Sequence, residues 1–172
     1  MNVFLATIDL AIAAAFVSMP FVRNRYGAAA MVTAESELAR QGVRTTALTE
    51  NGMRFDASGH ESAAPLSVAA IMIALAGVNL ADLAVARPLN WVLLTLVLLG
   101  NSVIVYSNHT AVRSVRAAFH RKGDPELIRI DVPALLAAAE SGFPAWTWTL
   151  QTLRNITVFG SAVLGLAALV LS

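Results

Sequence analysis

The residues that could do chemistry in this chain are few, and two of them sit inside apolar runs. Asp9 lies within NVFLATIDLAIAAAFVSMPFV, and Asp82 lies near the end of AAPLSVAAIMIALAGVNLADLAVA, three positions after Asn79. On a helix that spacing makes Asn79 and Asp82 neighbours. A carboxylate among acyl chains is costly, so both acids are expected to face protein or water. If they met in one layer, like charges in a low dielectric could not both ionise easily, and Asp9, Asn79 and Asp82 would form a proton or cation site. The plainer chemistry is hydrogen bonding between helices, or contact with water and Arg87 at the outer surface. The sequence favours this second reading, because such bonds are common packing devices in membranes.

A second polar group is expected nearer the other membrane face, with Asn101 and Ser102 in a third apolar run and Asn155 and Thr157 in a fourth. Gly100 would let a neighbouring helix approach there. His60, His109 and His120 fall on different segments without HxxxH or HExxH spacing, so no metal site is expected. The absence of cysteine excludes a disulfide framework, thiolate metal sites and a cysteine nucleophile. There is no Walker motif, GxGxxG or GxSxG, hence no support for a phosphate cradle or a nucleophile elbow. No catalytic residue and no cofactor emerges, and the chain is read as a non-enzyme.

The elements that would carry these residues follow from composition. With 57% apolar and 13% charged residues the chain has too little charge to cover a water-soluble domain. The expected fold is an integral membrane, mainly α bundle of four transmembrane helices at about 2–22, 63–86, 89–107 and 146–171. These make one polytopic domain, 1–172, with cytoplasmic loops 23–62 and 108–145. A cleaved signal peptide is disfavoured for the first run, since Asp9 interrupts it and no basic residue precedes it. The 63–86 helix is expected at the centre. Ala63, Ser67, Ala70, Ala74, Gly77, Ala81 and Ala84 recur at spacings of four and three, a ridge that allows close helix packing.

Outside the spans, the first helix is expected to run on until Gly42 stops it. Asn51-Gly52 has the sequence preference of a type I′ turn, which predicts a β-hairpin over 43–58 with Leu48, Met53, Phe55 and Ala57 on one face. ELIRIDV alternates apolar and charged residues, which predicts a strand at 126–132; since two strands alone are marginal, a small cytoplasmic cap of three is expected. Asp131 is expected to cap a short helix over VPALLAAAES, with Pro133 in its first turn.

Orientation follows from the twelve basic residues. Arg87 falls in the short turn between the second and third runs, while Arg23, Arg25, Arg40, Arg44, Arg54, Arg113, Arg116, Arg121, Lys122, Arg129 and Arg154 fall on the other side. The positive-inside rule then puts both termini outside a plasma membrane and both long loops in the cytoplasm. Arg23, Arg25, Arg113, Arg116, Arg121 and Lys122 are read as inner-leaflet anchors. So few basic residues at a membrane boundary argue against nucleic acid as a partner. The functional expectation is a structural or accessory subunit of a membrane assembly, with lipids, other membrane subunits or copies of itself as partners. The alternative is a small transporter, channel or permeabilising protein built on Asp9, Asn79 and Asp82.

Overall fold

The computed structural model describes residues 1–56 and 62–171. It holds α1 (Asn2–Arg40), α2 (Ala47–Glu50), α3 (Ala63–Leu80), α4 (Ala86–His109), α5 (Ala111–Lys122), α6 (Pro125–Ile128), α7 (Val132–Ser141) and α8 (Trp146–Leu171). Four of these, α1, α3, α4 and α8, are long and apolar enough to cross a membrane. The chain forms two compact units. One comprises Met1–Pro20, Glu61–Val105 and Trp148–Ser172; the other comprises Phe21–His60 and Tyr106–Thr147.

The first unit is a four-helix core. Leu5, Ile8, Ile12 and Phe16 of α1 pack with Ala69, Met72 and Leu75 of α3, Leu94 and Val97 of α4, and Val158 and Leu169 of α8. At one end the Asn2 amide donates to the Asp82 carboxylate, and Arg87 donates to the Leu169 carbonyl. The start of α1, the end of α3, the start of α4 and the end of α8 therefore share that end. Gly165 makes the tightest approach: a Cβ there would lie 2.6 Å from Leu94 Cδ1 and 3.6 Å from Ile8 Cγ2. The second apolar run is helical only to Leu80, short of the expected residue 86, because the chain needs residues 81–85 to turn back into α4. Asp82 takes φ +53° in that turn, a left-handed conformation that Asp tolerates better than most residues.

The small-residue ridge lies away from this core. All seven of its positions, Ala63, Ser67, Ala70, Ala74, Gly77, Ala81 and Ala84, are exposed within the chain, and a Cβ added at Gly77 would meet nothing within 4 Å. Packing inside the bundle uses the other face of α3, with Ala69, Met72, Leu75, Ala76 and Asn79 buried. The expected close approach at Gly100 is likewise missing, since its surroundings are open within 4 Å.

The second unit corrects the expected β cap: there is no strand among the described residues. Residues 47–50 form α2, and Asn51-Gly52 ends it. The Met53 amide donates to the Leu48 carbonyl at 2.9 Å and the Gly52 amide to that of Thr49 at 3.1 Å, the paired bonds of a Schellman cap. Gly52 has φ +68°, but Asn51 has φ −99°, whereas a type I′ turn needs both positive. An Asn-Gly pair satisfies either motif, and here a helical turn precedes it. Ala57, on the expected hairpin face, lies outside the described residues. Gly42 ends α1 by the same paired bonds, as expected, with Val43 donating to Leu38 at 2.9 Å and Gly42 to Ala39 at 3.0 Å.

ELIRIDV also turns out helical at its start. The Asp124 carboxylate accepts from the Glu126 amide at 2.9 Å with Pro125 at the first helical position, and this cap nucleates α6. The apolar residues of both segments still reach one core: Leu48, Leu127, Ile130, Val132, Leu135 and Phe119 are buried together, with Met53 and Phe55 against them. Asp131 caps α7 as expected, accepting from the Ala134 amide at 3.2 Å.

Arg44 supplies what a sheet would otherwise have supplied, a tie between the two segments. Its guanidinium pairs with Glu50 at 2.9 Å, Asp124 at 2.6 Å and Glu126, while its backbone amide donates to Glu126 at 2.7 Å. Hydrogen bonds from Arg44 hold the Asp124 carboxyl below its ordinary range; the Arg44 amide and then its guanidinium do so for Glu126, and Thr46 followed by Arg44 for Glu50. Groups whose folded value is depressed add stability above their unfolded values and lose it as pH falls through the folded ones. Hydrogen-exchange protection of residues 43–50 and 124–132, taken against the intrinsic exchange rate at each pH, is therefore expected to fall once pH drops below the normal carboxylate range. Arg44→Met should show fast exchange already at neutral pH, and a wild-type pattern in that variant would remove the knot's role.

Candidate functional site

The polar groups of the first unit form two layers. In the upper one, α1 brings Asp9, α3 brings Asn79 and α4 brings Asn90, all fully buried. Asn79 Nδ2 donates to Asp9 Oδ2 at 2.8 Å, Asn90 Nδ2 donates to Asn79 Oδ1 at 2.9 Å, and Asn90 Nδ2 also donates to the Ala86 carbonyl at 2.8 Å. The ladder pins three helices at one height. Asp9 Oδ1 has no partner among the described residues.

Asp82 does not join this ladder. It is exposed, and its carboxylate accepts from the Asn2 side chain at 2.5 Å, seven residues before Asp9 on α1. Because α3 ends before it, Asn79 and Asp82 are not successive helix neighbours. The expected Asp9, Asn79 and Asp82 layer is thus replaced by Asp9, Asn79 and Asn90.

Asn90 is the residue that spacing arguments missed. Its signal was present: Asn90, Leu94, Val97 and Asn101 recur at four, three and four and are the buried stripe of α4.

The lower layer holds Asn101 and Arg154. Asn101 is fully buried, and neither its Nδ2 nor its Oδ1 has a partner among the described residues. Arg154, expected on the cytoplasmic side, is only 7% exposed. Its guanidinium carbon stands 4.9 Å from the Phe16 ring centroid, and its Nη1 donates to Asn155 Oδ1 at 2.9 Å. Among the described residues no carboxylate pairs with it. Asn155 is half-buried, and Ser102 is exposed and bonded to the Leu98 carbonyl at 2.8 Å.

The expected anchors divide. Arg113, Arg116, Arg121 and Lys122 are exposed along α5, and Arg25 is exposed beside the Tyr26 ring. Arg23 instead spends its guanidinium inside the second unit, donating to the carbonyls of Arg54 at 3.0 Å and Phe55 at 3.3 Å. His109 and His120 lie on α4 and α5, and no group of His, Asp or Glu suited to a metal occurs among the described residues; His60 lies outside them. No family model matches the chain, and no curated protein or solved structure matches it either.

Proposed function

We propose that this chain is a non-enzymatic, multi-pass subunit of a plasma membrane assembly, working through helix packing against another membrane subunit. The observation that carries this reading is the division of α3. One face, with Ala69, Met72, Leu75, Ala76 and Asn79, is committed to the chain's own core, while the ridge of small residues stays uncovered beside the exposed Leu66, Ile71, Ile73 and Leu80. In lipid there is no hydrophobic force between helices, so a surface that permits close backbone approach is useful only to another helix. The orientation we propose has both termini outside. It rests on the partition of basic residues, and the Asn2–Asp82 and Arg87–Leu169 bonds, which gather the helix ends at one end of the first unit, support it.

The rival reading, a small transporter or channel using Asp9, Asn79 and Asp82, draws less from the geometry. Asp9 and Asn79 are buried and bonded to each other, and Asp82 is engaged elsewhere. One experiment separates the two. Copurification from mild detergent is expected to recover a stoichiometric membrane partner, or a second copy of the chain, and to lose it with Ala74→Leu and Gly77→Leu. Monomer stability should be unchanged in both, because Ala74 is exposed and a Cβ at Gly77 would meet nothing within 4 Å, whereas Ala76→Leu, in the core, should destabilise the monomer. A wild-type protein that purifies alone, and a flux across proteoliposomes that Asp9→Asn abolishes, would favour the transporter.

A further inference from the structure

Two bulky exposed side chains lie one turn apart where α1 leaves its apolar run. Phe21 is 68% exposed and Arg25, four residues later, is exposed as well, so the two share one face of the helix. Phe21 stands about 29 Å along α1 from Asn2, close to the roughly 30 Å of a bilayer's hydrocarbon core, and Arg25 follows about 6 Å beyond it. That places the phenyl ring at the acyl boundary and the guanidinium among headgroups. A phospholipid presents the same order, acyl carbon first and then a phosphate.

Arg25 is braced at that level with its donors free. Its guanidinium carbon lies 5.8 Å from the Tyr26 ring centroid, a cation–π contact that restrains the group without occupying its N–H bonds. Among the described residues nothing accepts a hydrogen bond from Arg25, whereas Arg23, two positions earlier, donates to the carbonyls of Arg54 and Phe55. Tyr26 packs edge-on against Trp146, with centroids 5.8 Å apart and planes at 78°. Trp146 opens α8 and is 48% exposed, and its indole N–H has no partner among the described residues. A tryptophan at the entry of a span marks the interface, so α8 and α1 agree on where the headgroups lie. A guanidinium fork takes a phosphate through paired N–H bonds, and the indole adds a donor beside it.

We propose that Arg25, braced by Tyr26 and Trp146, binds the phosphate of a phospholipid whose chains lie against Phe21. The occupant is a lipid rather than free phosphate, because the cation sits one turn outward of an exposed apolar ring. The site requires α1 to span a membrane and is independent of the helix-packing role proposed above. The test uses the full chain, delipidated in detergent, with bound lipid counted by native mass spectrometry and thermal unfolding followed in parallel. Short-chain phosphatidylglycerol is expected to bind and raise the unfolding midpoint. The matching diacylglycerol, which lacks the phosphate, and inorganic phosphate, which lacks the chains, should do neither at the same concentration.

Arg25→Gln is expected to raise the half-saturating concentration about tenfold. Arg25→Lys should raise it less, since Lys keeps the charge and loses the fork. Arg25 is exposed and makes no hydrogen bond within the chain, so the lipid-free midpoint should stay at the wild-type value in both variants, and a lost response is then not misfolding. Arg40→Gln removes the same charge from the far end of α1, where Arg40 pairs with Glu37, and should leave binding unchanged. Equal responses to phosphatidylglycerol and diacylglycerol overturn the site, as does undiminished binding in Arg25→Gln. Arg40→Gln weakening binding as much as Arg25→Gln would reveal bulk charge in place of a site and overturns it too. Stabilisation by inorganic phosphate alone overturns the lipid as occupant.

Discussion

Gly142→Ala is expected to lower the thermal unfolding midpoint of the detergent-solubilised protein more than an alanine at any other glycine except Gly27. A Cβ at Gly142 would fall 2.4 Å from Ala30 Cα and 2.6 Å from Ala30 N. Those are main-chain atoms of α1, which cannot rotate aside as a side-chain tip can. Gly142 has φ −74°, so backbone strain does not enter, and the effect isolates the approach of the end of α7 to α1. Overpacking of a filled interior costs about 1–3 kcal/mol, and a rigid obstacle puts this case at the upper end. Gly27→Ala should behave alike, because its Cβ would fall 2.5 Å from both Asp56 Cα and the Phe55 carbonyl oxygen. Gly165→Ala should cost less, since its nearest obstacle is the flexible tip of Leu94. Gly100→Ala and Gly160→Ala supply the opposite sign. Both glycines are helical with nothing within 4 Å, so the substitution should stabilise by up to about 1 kcal/mol through helix propensity. Unfolding midpoints that fail to separate Gly142 and Gly27 from Gly100 and Gly160 would contradict the packing of the second unit.

What was legible in the sequence follows a physical division. The four long apolar helices could be read because backbone groups in lipid must bond internally, which leaves a run of that length little else to form. The helix stops at Gly42 and the cap at Asp131 were readable because each rests on one residue's local chemistry. The hairpin was not, since Asn51-Gly52 serves a Schellman cap as well as a type I′ turn. Nor was the strand, since Ile130 and Val132 reach the same core from a helical start. Two of the three carboxylates that Arg44 holds, Asp124 and Glu126, lie 80 and 82 residues away in sequence, and no local pattern carries that. The ridge on α3 was legible as a pattern but not as a place. Lipid and protein interior are both apolar, so periodicity finds the two faces of a membrane helix without saying which one turns inward. That ambiguity reached the polar sites too: Asn79 and Asp82 share a spacing, yet only Asn79 lies on the face that Ala69, Met72, Leu75 and Ala76 turn into the core.

The second large effect is expected from Asn79→Leu. Asn79 stands in the middle of the ladder, giving a hydrogen to Asp9 and taking one from Asn90. Removing it strips the fully buried Asp9 of its amide donor and leaves Asn90 with only the Ala86 carbonyl. Deleting one bond between membrane helices usually costs little, about 0.6 kcal/mol, because the loosened chain finds other partners. Here the loss is larger, because an abandoned buried polar group carries its own desolvation cost of about 1–3 kcal/mol, and more when charged. A drop of about 2 kcal/mol or more is therefore expected for Asn79→Leu. Asp9→Leu alone should cost less, since Asn79 keeps its bonds to Asn90. The double variant Asp9→Leu with Asn79→Leu decides the matter. With both partners apolar no carboxyl is left stranded, so it should recover part of the loss seen in Asn79→Leu, a coupling of about 1 kcal/mol or more. Steric-trap or denaturant unfolding in detergent would measure all three. If the two single losses simply add, Asp9 and Asn79 do not act on each other, and the ladder is a coincidence of position rather than the tie between α1, α3 and α4.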